Sequence, residues 1–323
     1  MKAKYINPFT DFGFKKIFGE EASKPQLLDF LNALLPTHAQ IKDFSYKNTE
    51  HLGQTIIDRK SLFDIYCEGE NGEKFIVELQ KAKQNYFKER TVFYSTFPIR
   101  EQAEIGEWNY NLKAVYCIGI LDFTFDDYET EPEKGEVVHT IKLKNQYGKT
   151  FYEKLTFIYL EMPNFNKVES ELENRLDKWL YFIKNLEDFE VIPTIFKAEK
   201  IFENAFEKAE IARFDDGQNQ SYERSLREFR DAKNTYDYAI ETANSIGLEK
   251  GMIKGLEKGK IEGKIEGKIE GKIEGKIEGK IEGKIEGKIE GKIEVVKSLK
   301  ENGVSIEIII SSTGLSKEEI DKL

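Results

Sequence analysis

Asp64 and Glu78 are the residues from which chemistry is most readily assembled. They stand on two strand-like runs, Ser61 to Cys67 and Lys74 to Gln80, which flank Glu70, Asn71 and Gly72. An Asn-Gly pair supplies the positive φ that hairpin turns require. Register decides whether the two carboxylates meet. A two-residue turn at Asn71-Gly72 sets Asp64 opposite Leu79 and sends Glu78 to the other face. A three-residue loop, with Gly72 left-handed in a G1 bulge, pairs Asp64 with Glu78 and brings Gln80 to the same side. Phe63, Ile65, Val77 and Leu79 then share the apolar face. Two acids side by side repel unless a cation sits between them. Carboxylate oxygens select a hard divalent ion, which activates water and neutralises charge building on a phosphate. The plainer alternative is that both are ordinary solvent-facing strand residues.

The elements that must hold this pair follow from periodicity. After the turn-like Asn7-Pro8, Phe14, Ile17, Phe18, Leu27, Leu28, Leu31 and Leu34 recur at helical spacing, which predicts two short helices broken near Gly19. Beyond the hairpin, Phe87 to Glu104 reads as a helix, and Leu112 to Phe125 as a buried strand rich in β-branched and aromatic residues. Leu155 to Leu160 reads as another strand, and helical periodicity dominates from there to about Ser245.

Composition narrows the function classes. A chain of 323 residues, 39% hydrophobic and 12% aromatic, can bury a core without staples. Cys67 and Cys117 lie alone in apolar runs, and His38, His51 and His139 are scattered singly, which argues against a disulfide framework or a zinc site. No apolar stretch approaches a membrane span and no signal-peptide layout opens the chain, so a cytoplasmic address is expected. The net charge of -10 falls entirely on residues 1–246, because 12 Lys balance 11 Glu from Gly247 to Glu294 and 4 Lys face 5 acids thereafter. Any nucleic acid must be held by a local basic groove and by metal ions that offset the acids.

Gly247 to Glu294 forms twelve tetrads, the last nine being perfect Gly-Lys-Ile-Glu copies. Each tetrad advances a helix by about 400°, giving a slowly spiralling Ile stripe, while each Gly costs about 1 kcal/mol relative to Ala. The same period fits a strand with Gly and Ile on one face. Helix or flexible spacer is the expectation, since no turn residues punctuate the tract. Val295 to Leu323 reads as short helices divided by Asn302-Gly303 and Thr313-Gly314, with a capping box from Ser316 to Glu319.

Asp64 followed by Glu78-Leu79-Gln80 resembles the Asp…Glu-X-Lys signature of PD-(D/E)XK nucleases, with Gln in place of Lys. The likeness extends to Asp11-Phe12-Gly13-Phe14-Lys15-Lys16-Ile17-Phe18-Gly19, Leu28 to Asn32, the series Gln84, Phe87, Arg90 and Tyr94, Ile118 to Asp122, Leu176 to Phe182, and Tyr222 to Asp231. Together these are similar to the transposase-like, recombination-promoting members of that family. The resemblance implies an α/β fold, a restriction-endonuclease-like mixed sheet flanked by helices over residues 1–165. A helical extension (166–246), the repeat tract (247–294) and a small helix-turn-helix-like segment (295–323) would follow. It implies that Asp64 and Glu78 bind Mg²⁺ or Mn²⁺, with Gln80 where the family's Lys orients the attacking water. Asp11 would be a third ligand or the N-cap of its helix. Lys15 would restore the missing charge or be a solvated helix lysine, Lys81 and Lys83 pointing away by strand parity. Arg90 and Gln84 would contact the DNA backbone or join helix to sheet. The activity implied is metal-dependent endonucleolytic cleavage of DNA that promotes recombination or accompanies mobile DNA. The alternative is a weakened nuclease fold acting as a binding, regulatory or defence-associated module. DNA is the expected partner, with no membrane, and a homo-oligomer contact is expected through the C-terminal tail.

Overall fold

The computed structural model describes residues 3–47, 50–51, 61–104, 106, 108–125 and 134–323. The chain divides into two units, Met1–Ala239 and Ile240–Leu323.

A six-stranded mixed sheet organises the first unit. Its strands are β1 (Phe44–Tyr46), β2 (Ile65–Gly69), β3 (Lys74–Gln80), β4 (Val115–Leu121), β5 (Val138–Lys144) and β6 (Thr150–Glu161). The spatial order is β1-β2-β3-β4-β6-β5. The central pairs β3–β4 and β4–β6 are parallel and the rest antiparallel. Parallel central strands are buried on both faces, and the burial here obeys that rule. One face carries Ile65, Cys67, Phe75, Val77, Leu79, Ile118, Ile120 and Ile158 against the helices α1 (Asp11–Phe14), α2 (Lys24–Leu34), α4 (Arg175–Asn185) and α5 (Lys200–Ala209). The other face buries Tyr66, Ile76, Val115, Cys117, Phe157 and Tyr159 under α3 (Phe87–Arg100).

The β2–β3 hairpin adopts the three-residue loop. Ile65 pairs with Val77 and Cys67 with Phe75, the Gly69 N–H donates to Glu73 O, and Gly72 sits at φ 90°. Two expectations about its far end are corrected. The run Ser61 to Cys67 is not one strand, because Ser61–Leu62 pairs with Glu50–His51 and β2 begins only at Ile65. Phe63 lies in the α3 cluster with Tyr66 and Tyr94 instead of sharing a face with Ile65 and Val77. Strand alternation cannot carry through the bend at Asp64. The side chain of His51 lies outside the described residues.

The N-terminal motif is a short helix continued by a π-type turn. Thr10 caps α1, its hydroxyl accepting from Gly13 N, so Asp11 is the first helical residue and not the cap. Gly13 has a steric reason, since a Cβ there would lie 2.1 Å from Asn7 O. Lys15–Gly19 widens into π geometry. On this side of the sheet, Asp29 of α2 accepts from Arg175 Nε at 2.6 Å and from Trp179 Nε1 at 2.7 Å. The segments Leu28 to Asn32 and Leu176 to Phe182 therefore lock together around one carboxylate.

The helix α6 runs from Asp216 to Glu301. In the second unit the tetrads are helical, and their isoleucines from Ile261 to Ile289 are 53–61% exposed. The helices α7 (Ile306–Thr313) and α8 (Lys317–Asp321) pack Ile309 and Ile320 on Val296, with the Ser316–Glu319 capping box in place. Among the described residues, no helix is long and apolar enough to cross a membrane.

Candidate active site

Four elements converge at the C-terminal end of β3. The strand itself contributes Glu78 and Gln80, the bend before β2 contributes Asp64, α3 contributes Arg90 and Tyr94, and the α1 turn contributes Lys15.

Asp64 lies in the bend one position beyond the last paired residues, Ile65 and Val77, and its charge bears on Glu78. Its Oδ2 accepts from the Leu79 N–H at 2.7 Å, so the side chain takes over the hydrogen bond that a strand backbone would have made. Burial raises the Asp64 carboxyl above the ordinary range, opposed by that hydrogen bond and by the charges of Lys15 and Lys81, while Asp11 adds repulsion. The Lys81 charge reaches Asp64 only through space, as the weakest of these influences.

Glu78 is the more perturbed acid. Burial, reinforced by the Asp64 charge, pushes it up to about 8, against the opposing charges of Arg90 and Lys15. Its Oε1 is fully enclosed and has no hydrogen-bond partner. A cavity of about 10 Å³, room for one water, lies against it, walled by Ile76, Thr91, Tyr94, Cys117, Gly119 and Tyr159. Gly119 pairs with both Glu78 and Tyr159 across the sheet. A Cβ on Gly119 would lie 2.9 Å from Tyr159 Cδ1, so only glycine admits that ring beside the carboxylate. Thr91 Oγ1 and Tyr159 OH lie 2.6 Å apart, and the Thr91 hydroxyl donates to Lys88 O at 2.9 Å.

Gln80 is held at both ends. Its Nε2 donates to Ala82 O at 2.9 Å, and its Oε1 accepts from Arg90 Nη2. Arg90 Nη1 donates to Gln84 Oε1, while Nε is buried without a partner. Arg90 and Gln84 therefore join helix to sheet, and the guanidinium bears on Glu78 instead of facing outward. Lys15 forms an ion pair with Asp11 at 2.8 Å, four residues apart on one helical face. Among the described residues, no three or more His, Cys, Asp or Glu gather tightly enough to hold a metal ion, so Asp11 does not close with Asp64 and Glu78 into a three-acid cluster.

The sequence reading gave Tyr94, Thr91, Gly119 and Tyr159 no part in the site. Tyr94 feels the charges of Glu78 and Arg90, and burial raises its hydroxyl. The spacing of Phe87, Arg90, Thr91 and Tyr94, three or four residues apart, is the signal that places them on one helix face.

No curated protein and no solved structure matches the chain. A family model described as PD-(D/E)XK nuclease family transposase matches residues 8–239. That span includes the whole sheet, the acidic pair and the helices that bring Lys15 and Arg90 to it. The chain belongs to the PD-(D/E)XK nuclease family transposases.

Proposed function

We propose that this chain is a metal-dependent DNA endonuclease whose cleavage promotes recombination or accompanies mobile DNA, with Asp64 and Glu78 as the carboxylates that hold Mg²⁺ or Mn²⁺. The observation that carries this reading is the enclosed, partnerless Glu78 Oε1 beside a second buried acid. A buried acceptor without a donor is expensive, and a divalent cation satisfies it with the ligand type such ions prefer. When bound, that ion supplies Lewis acidity and lowers the pKa of a bound water.

The chain's own groups do the rest. The Leu79 N–H fixes Asp64 so that its remaining lone pairs are free to ligate. Glu78 releases its proton to become a ligand, and Arg90 and Lys15 favour the ionised form. The Gln80 amide, clamped between Arg90 and the Ala82 carbonyl, orients water by hydrogen bonding and carries no charge of its own. Arg90 and Lys15 supply the positive charge near the scissile phosphate that a Lys at position 80 would have brought.

The test is nicking of supercoiled plasmid. Wild type with Mg²⁺ converts it, whereas Asp64→Ala, Glu78→Ala and EDTA-treated protein do not. Equal conversion by all of them sinks the proposal. A second reading, a nuclease fold retained as a binding or regulatory module, draws on the engagement of both ends of the Gln80 amide by protein groups and the absence of a three-acid cluster among the described residues. Calorimetric titration with Mn²⁺ separates the two, since the module reading expects no heat that depends on Asp64 and Glu78.

A further inference from the structure

The hairpin joining β5 to β6 stands apart from the acidic surface. Between Lys142 and Lys154 the sequence places four Lys and one acid, Glu153, in a chain of net charge -10. Lys142 pairs with Glu153 at 3.0 Å, and Lys154 donates to Leu112 O at 2.7 Å. The side-chain ammonium groups of Lys144 and Lys149 have no hydrogen-bond or ion-pair partner among the described residues. Tyr147 at 85% and Phe151 at 82% are the most exposed large hydrophobic side chains among those residues.

The tip is built to be rigid. Asn145 N donates to Lys149 O at 2.9 Å, and Gly148, at φ 76°, donates to Asn145 O. Asn145 Oδ1 accepts from both Tyr147 N and Lys149 N at 3.0 Å. An ordered turn that leaves two aromatics in water and two lysines unpaired has no folding role for those four side chains.

We propose that this tip is a second nucleic-acid contact, a β-ribbon that enters a groove of duplex DNA about one helical turn from the point of cleavage. Lys144 and Lys149 meet phosphates, and Tyr147 and Phe151 lie against sugars and base edges. The proposal rests on the nuclease reading and adds to it the length of substrate engaged. Its distance comes from the sheet. Tyr159 of β6 lies in the row of Glu78 and Gly119, and Thr150 lies nine residues back along the strand, roughly 30 Å at 3.3 Å per residue. One turn of B-DNA is about 34 Å, and its major groove admits a two-stranded ribbon.

The experiment measures binding of the full chain to fluorescent 12-bp and 30-bp duplexes in EDTA, as a function of salt, alongside plasmid nicking in Mg²⁺. Wild type should prefer the longer duplex about tenfold, and Lys144→Ala/Lys149→Ala should lose that preference with a salt slope shallower by about 2. Tyr147→Ala/Phe151→Ala should weaken binding to the 30-bp duplex with the slope unchanged, because those contacts are not ionic. Thermal melting should be unaltered in both, as none of the four side chains packs. If the variants bind like wild type while wild type still nicks DNA, the hairpin proposal fails and the nuclease reading stands. A wild type that neither binds nor nicks overturns both. Variants that bind DNA normally but lose adhesion to phosphatidylserine vesicles show a lipid-facing tip and overturn the proposal.

Discussion

Replacing Glu78 by Gln should remove activity and at the same time stabilise the metal-free protein at alkaline pH. The folded chain holds the Glu78 proton up to about 8, whereas an ordinary glutamate releases it near 4.5. The folded state therefore binds this proton more tightly than the unfolded state does. Stability is fully present below about pH 4.5, falls as pH rises through the window to 8, and is flat beyond it. Across the whole window the lost stability amounts to about 5 kcal/mol at 1.36 kcal/mol for each pH unit. Between pH 5.5 and 8.5 it is about 3 kcal/mol, an upper bound because water entry relaxes such penalties. Glu78→Gln is neutral at both values, so urea denaturation in EDTA should show it gaining on wild type by up to that amount from pH 5.5 to 8.5. Asp64 contributes the same sign to both proteins, with less repulsion in the variant, where no Glu78 charge stands beside it. Adding Mg²⁺ at 100 times its dissociation constant should return about 2.7 kcal/mol to wild type at pH 8.5 and nothing to the variant. Parallel pH profiles for the two proteins would refute the argument, since they would mean that Glu78 ionises in the folded chain as easily as in the unfolded one.

Gln80→Lys should place an ammonium against the Arg90 guanidinium where an acceptor now stands, lowering the nicking rate; Gln80→Lys/Arg90→Gln should recover it, with a coupling of about 1–2 kcal/mol between the two positions in a double-mutant cycle. Asp29→Ala should strand the Trp179 Nε1–H and leave Arg175 with Glu199 as its remaining partner, costing about 2 kcal/mol in urea denaturation, while the Mn²⁺ affinity of the folded chain stays unchanged, because Asp29 lies on the opposite face of the sheet from Glu78. Gly271→Ala and Gly275→Ala, whose added Cβ atoms meet nothing within 4 Å, should each stabilise the tract helix by about 1 kcal/mol, read as a higher melting temperature of the far-UV circular dichroism signal.

The hairpin was legible because Asn71-Gly72 marks its turn and narrows the register to two, of which the three-residue loop with a left-handed Gly72, putting Ile65 opposite Val77, is the one adopted. What lies past the end of regular pairing was not legible. Strand parity fails for Phe63 because a bend at Asp64 resets the direction in which side chains leave the backbone. The helix cap falls one residue before Asp11, since Thr10 and Asp11 are both good cap types and the extended ψ of 151° at Thr10, with its hydroxyl accepting from Gly13 N, is what separates them. Strand β5 went unrecognised because its partly exposed sequence, Val138 to Lys144, mixes lysines with β-branched residues in the manner of an edge strand. Gly119 had no signal in a single sequence, for its necessity arises from the Tyr159 ring on a neighbouring strand.

The departure at position 80 and the orientation of Arg90 are two aspects of one arrangement. Glu78 and Asp64 sit in surroundings where burial disfavours both anions, so any cation beside them contributes more than it would in water. A guanidinium reaching in from α3 needs acceptors for its fork. Two are provided, Gln80 Oε1 and Gln84 Oε1, both neutral, so the positive charge is left to act on Glu78 instead of being cancelled by an ion pair. Lys15, by contrast, is partly neutralised by Asp11 at the exposed rim. On the proposed nuclease reading the charge would come from the helix and not from the strand, with Gln80 accepting from the guanidinium that carries it.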